Sequence, residues 1–178
     1  MKNILVILTI IIFCSQVLAE SIKEETESII REKLGNNITL EFIKYKIPAD
    51  VKKEVETESR QKFYGDFVYV YKVLIENKIR NFVVVDNVYG KSMPITFMVI
   101  YDTEAKIDYS AIVKYREQYG GGVKSEDWNG QFIGRDSNSG YEVGKDISVI
   151  SGATISANSI ARGIKKLTLL ISKIKNTL

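Results

Sequence analysis

The stretch Ile79-Arg80-Asn81-Phe82-Val83-Val84-Val85-Asp86 decides how this chain folds. Its valines are β-branched and its phenylalanine aromatic, the types that pack best on a pleated surface. Such a run is too apolar to leave wet, so one face of the sheet it joins must be covered. Working outward, Phe67–Glu76 lies before it, and Ile95–Tyr101 and Ile107–Tyr115 after it, all dense in Val, Ile, Tyr and Phe. Glu76-Asn77-Lys78, Asn87–Pro94 and Asp102–Lys106 separate these runs with turn-forming residues. Connections this short predict an antiparallel meander.

The flanks read differently. Residues 20–35 predict a short amphipathic helix, with Ile22, Ile29, Ile30 and Leu34 inward and Gly35-Asn36-Asn37 ending it. A strand from Thr39 to Ile47 follows and stops at Pro48. Ala49–Lys62 is highly charged and predicts a solvated helix, either a partner surface or a plain exposed face. At the other end, Ile160, Ile164, Leu167, Ile171 and Ile174 recur at three- and four-residue steps, predicting a helix from about Ser156 to Lys175. Ser156 is its expected N-cap. The class is α+β: a central antiparallel or mixed sheet covered by the N- and C-terminal helices, with no internal repeat.

The chain has 178 residues, 45% of them hydrophobic and 26% charged, which suits a single globular domain. Residues 1–19 stand apart. Lys2, an apolar run from Ile4 to Phe13 and the small-residue ending Val17-Leu18-Ala19 predict a secretory signal peptide. The protein is then exported, periplasmic or extracellular. Retention of the segment would leave it membrane-associated, although the run is short for the roughly 20 residues of a spanning helix. A lipoprotein anchor on Cys14 fits less well, because Ile12-Phe13 lacks a small residue before it. Residues 20–178 are expected to form the one domain.

Loss of Lys2 would lower the net charge of +3 by one, too slight a balance to argue for nucleic acid. Cys14 is the only cysteine and there is no histidine. These absences exclude haem attachment, cysteine-held iron–sulfur clusters, the usual zinc and copper sites and His-dependent nucleophile systems in the processed chain. No metal is expected. Redox work would need an organic cofactor.

Two short motifs carry chemistry. Ser151-Gly152-Ala153-Thr154-Ile155-Ser156 opens the last helix, where unpaired N–H groups and the positive end of the dipole suit a phosphate. Thr154 offers an oxygen able to carry a phosphoester; alternatively the run is a strand-to-helix turn with an ordinary cap. Upstream, Tyr115-Arg116-Glu117-Gln118-Tyr119-Gly120-Gly121-Gly122-Val123 places three glycines straight after a strand, permitting close backbone approach or a flexible hairpin. It is neither a dinucleotide fingerprint nor a Walker loop.

In their order and placement these motifs resemble the FMN-binding domain family. Trp128, Phe132 and Gly134 look like that family's middle aromatic segment, and Tyr89–Ile95 like its first glycine-containing turn. The resemblance covers roughly residues 87–166, leaving 20–86 as an N-terminal extension. It departs at Ser148, where many members carry Asp, and at Gln118-Tyr119-Gly120, where many read Thr-Pro-Gly. The resemblance implies FMN esterified through its phosphate to Thr154 by a flavin transferase. The phosphate is then expected beside Ser151, Gly152, Ala153 and Ser156. The flavin ring is expected against Arg116, Glu117, Tyr119, Gly120, Gly121 and Gly122, with Tyr119 or Trp128 stacking on it; the alternative for Trp128 is core packing.

No residue is expected to serve as general acid or base. The resemblance favours an extracytoplasmic electron carrier, similar to flavin subunits of sodium-pumping quinone reductases and Rnf-type complexes, serving membrane or periplasmic redox proteins. The alternatives are an FMN-dependent reductase of a small molecule and a secreted interaction module without flavin.

Overall fold

The structure, a computed structural model, describes residues 21–178; the expected signal segment lies outside them. The chain divides into two compact units, Met1–Asn37 and Ile38–Leu178. Within the first, helix α1 covers residues 21–34, and the Gly35 N–H closes it on the Arg31 carbonyl at 2.9 Å.

The second unit holds an antiparallel five-stranded sheet in the order β1-β2-β3-β4-β5. The strands are β1 (Thr39–Lys46), β2 (Phe67–Ile75), β3 (Lys78–Tyr89), β4 (Pro94–Asp102) and β5 (Ile107–Lys114). Each strand is therefore paired with its chain neighbour, as the short turns require. The expected meander is present, and the strands predicted from composition fall within a few residues of those observed. The sheet is antiparallel rather than mixed; one parallel bridge, Val143 with Ile147, lies outside the named strands.

Helix α2 (Ala49–Ser59) links β1 to β2, α3 (Glu126–Gly130) follows the glycine segment, and α4 (Thr154–Ile174) completes the fold. Alternation assigns one face of the sheet to the core: Val70, Val84, Val88, Phe97 and Val99 all belong to the main apolar cluster. Against them lies the α4 stripe Ile160, Ile164, Leu167, Ile171 and Ile174, each at most 2% exposed. At roughly 1.5–3 kcal/mol for each large side chain removed from water, this seam dominates the stability of the unit. It also holds the start of α4 in a fixed position beside the end of β5.

One expectation about α4 changes. The helix begins at Thr154, with Ala153 as N-cap and no side-chain capping bond. Ser156 is already helical and buried, turned to Tyr115 at 3.1 Å rather than capping the backbone. A hydroxyl in the first turn resembles a cap in sequence; only the third dimension gives it another partner.

Candidate functional site

A cleft of about 750 Å³ opens where three segments converge. Its walls are the β3–β4 turn (Lys91, Ser92, Met93), the segment after β5 (Arg116 to Gly120) and the start of α4 (Gly152 to Ser156). The meander brings the turn and the end of β5 to one edge of the sheet. The apolar seam then sets the α4 N-terminus beside them.

Three consecutive side chains staple the walls together. Tyr115, at the end of β5, donates to the Tyr119 carbonyl at 2.5 Å and shares a 3.1 Å hydrogen bond with Ser156 Oγ on α4. Arg116 Nη1 donates to the Pro94 carbonyl and Thr96 Oγ1, both at 3.0 Å, at the start of β4. Glu117 Oε1 accepts from the Ser92 and Met93 N–H groups at 2.6 and 2.9 Å. Those two backbone donors, with help from nearby Lys91, hold the Glu117 carboxyl below its usual range.

Gly120 sits where Tyr115 and α4 meet. Its φ is +83°, and a Cβ there would lie 2.8 Å from the Tyr115 hydroxyl and 3.4 Å from Ala153 Cα. Glycine at 120 thus meets both a left-handed backbone and a close approach to the helix start.

The start of α4 leaves its donors open. Ala153 has φ −126° and ψ 19°, away from the extended geometry of a capping residue, and among the described residues no side chain caps the first-turn amides. In a 21-residue helix these amides stand at the positive end of a full dipole. Thr154 is exposed there, its carbonyl engaged by Asn158 Nδ2 at 2.9 Å but its hydroxyl in no hydrogen bond among the described residues. Beside it stand exposed apolar surfaces: Tyr119 at 77%, Ile155 at 51% and Met93 at 44%. Free amide donors, an acceptor-ready hydroxyl and a partly apolar rim suit a ligand with a phosphate at one end and a flat ring at the other.

Most of the expected site residues line this cleft: Arg116, Glu117, Tyr119, Gly120, Gly152, Ala153, Thr154 and Ser156. Ser151 lies in the turn just before them, exposed. Gly121 and Gly122 do not line it. They enter a short 3₁₀ turn, Gly121–Lys124, in which Gly122 packs beneath Ile150. Of the three glycines, Gly120 alone lines the cleft. Trp128 is core: 4% exposed, edge-on to Phe132 at 5.2 Å, its indole N–H donating to the Ser148 carbonyl at 3.0 Å. Ser148, at the family's frequent Asp position, makes these local contacts through its backbone, its N–H donating to Gln131 Oε1 at 2.8 Å.

The sequence reading missed Lys91, Ser92 and Met93 as wall residues, although it marked their turn. It also missed Tyr115, whose hydroxyl ties two walls. An aromatic at a strand end carries no local sign that its tip will be a hydrogen-bond hub. Among the described residues no group of three His, Cys, Asp or Glu is placed to hold a metal.

The fold and cleft define a class: a small α+β domain with a helix N-terminus and an exposed threonine hydroxyl at the rim of an open cleft. Residues 90–168 match the FMN-binding domain family, which supports an FMN-binding domain in this segment. The match contains all three walls of the cleft, whereas β1, β2 and β3 precede it. Comparison with curated proteins gives no match. The match supports FMN as the cofactor and suggests a flavoprotein.

Proposed function

We propose that this protein is an exported flavoprotein that carries FMN as a phosphoester on Thr154 and passes electrons between redox partners. The observation that carries this reading is the convergence in one cleft of an exposed Thr154 hydroxyl, uncapped α4 amides and the Tyr119–Gly120 wall. FMN supplies one- and two-electron chemistry to a chain that has no histidine and only Cys14 as a thiol to ligate a redox metal. The residues present fit its parts. The first-turn amides of α4 would hold the phosphate, where the dipole is worth roughly 0.3–1 kcal/mol, more when partly buried. Tyr119 and Met93 would offer surface to the ring, an aromatic contact adding about 0.5–1.5 kcal/mol. Contacts of this size suit a weakly held ring, which an ester at Thr154 would keep in place. Arg116 is spent on the Pro94 carbonyl and Thr96 Oγ1 and Glu117 on two backbone amides, and both set the shape of the site; neither is required to move a proton.

Export rests on residues 1–19 and the transferase on the resemblance; both are parts of the proposal. The test is co-expression with a flavin transferase, followed by intact mass and peptide mapping. Wild-type protein should gain the mass of FMN less one water on the peptide containing Thr154, with flavin absorbance. A colourless product of unmodified mass would end the reading. Reduction by mediators and reoxidation by a second redox protein supports the carrier. Turnover of a small molecule by the pure protein would move the assignment to a reductase.

A further inference from the structure

The β3–β4 turn ends in an exposed tip, Lys91-Ser92-Met93, and its one internal backbone bond runs from the Gly90 N–H to the Met93 carbonyl at 3.0 Å. Two further donors, the N–H groups of Ser92 and Met93, point to a single oxygen, Glu117 Oε1, at 2.6 and 2.9 Å. The two segments are 24 or more residues apart in sequence and face each other across the cleft. The approach is close. A Cβ built on Gly90 would overlap Glu117 Oε1 and lie 3.0 Å from its Cγ. Any side chain at residue 90 would therefore push the carboxylate off the two amides. Arg116, next in the chain, anchors lower down at Pro94 and Thr96 and leaves the tip to Glu117.

We propose that Glu117 is the latch of the cleft, a positioning residue whose carboxylate holds the Lys91–Met93 wall at its working distance, with Gly90 kept bare to seat it. Hydrogen bonds to a charged acceptor are the strong kind, and two on one oxygen fix a turn that otherwise has little to hold it. The latch itself is independent of any ligand; its consequence for FMN rests on the reading given above.

The test uses the full chain free of flavin and measures amide hydrogen exchange at Ser92 and Met93. Glu117→Ala should lower protection there about tenfold. Glu117→Gln keeps an oxygen able to accept from both amides and should lower it only about threefold. Gly90→Ala should match Glu117→Ala, and the double variant Gly90→Ala/Glu117→Ala should add nothing, since the overlap disappears with the carboxylate. Unchanged protection in Glu117→Ala, or equal losses in the Ala and Gln variants, would overturn the latch. Should Gly90→Ala not fold, the two Glu117 variants still decide the matter.

The second arm titrates the same unmodified proteins with FMN. Dissociation constants should rise about tenfold in Glu117→Ala and clearly less in Glu117→Gln. Lost protection with unchanged FMN affinity would overturn the positioning role. Failure of every protein, wild type included, to bind FMN would count against the flavin reading, while the exchange pattern would still decide the latch.

Discussion

Thr154 combines two properties that are rarely useful together: it is the first residue of a long helix, and its side chain is exposed with no protein hydrogen bond among the described residues. Because Ala153 and not Thr154 is the N-cap, Thr154→Ala removes no capping bond. Its cost to stability should stay within about 0.5 kcal/mol, as for surface substitutions away from special features. The same change should abolish the FMN mass increment after co-expression with a transferase, which intact mass and a urea melt check together. Retention of covalent flavin by this variant would place the ester elsewhere. Glu117 makes a second prediction at this scale. Its folded pKa lies below the ordinary value of 4.5, chiefly through the Met93 and Ser92 N–H groups, with Lys91 adding to the effect. The charged groups about it are Lys91 and Arg116. For a depressed carboxyl the stabilisation is present above the unfolded pKa and is lost as pH falls through the folded one. The amide shifts of Ser92 and Met93 should accordingly titrate together, with one midpoint below that ordinary value. A midpoint above that value would mean that the carboxylate is not held there.

At the scale of elements, helix α4 governs the site because its position sets where the open amides lie. That position depends on Gly163. A Cβ there would stand 2.6 Å from Val88 Cγ1 and 2.9 Å from Phe97 Cζ, so α4 crosses β3 and β4 more closely than any side chain at 163 would allow. Gly163→Ala should cost about 1–3 kcal/mol through overpacking, even though alanine is the better helix former. Urea midpoints measure this, and a stabilised variant would show that the seam is loose. Much of this element was legible: the isoleucine and leucine spacing announced both the helix and its buried face. Its first residue was not, since Ser156 has the chemistry of a cap and only its contact with Tyr115 reassigns it. The strands were legible because runs dense in β-branched and aromatic residues, separated by short turns, admit few arrangements. The glycine triplet was less so. Three identical letters concealed three environments, and only Gly120 has the positive φ.

At the scale of the molecule, sheet, helix and connecting loop meet at one buried charge. Lys166 on α4 is fully buried; its Nζ lies 2.7 Å from Asp86 Oδ2 on β3, donates to the Lys62 carbonyl at 3.0 Å, and stands 4.3 Å over the Phe63 ring. The contact with Asp86 is a short ion pair whose pull on the carboxyl is chiefly coulombic. Burial pushes the Asp86 carboxyl up, while Lys166 pulls it back. Nothing local in the sequence pairs these residues. Lys166 reads as one more C-terminal lysine favouring the helix dipole, and Asp86 as the polar end of a strand. Removing one partner strands the other in an apolar interior, which typically costs about 3–5 kcal/mol, whereas replacing both can be nearly neutral. Lys166→Met should therefore lower the urea midpoint steeply and free the loop at Lys62. Lys166→Met/Asp86→Asn should recover a large part of the loss, because the orphaned carboxylate is gone. If the double variant is as unstable as the single, the stability lies in the Lys62 and Phe63 contacts, and the ion pair is not what joins the three parts.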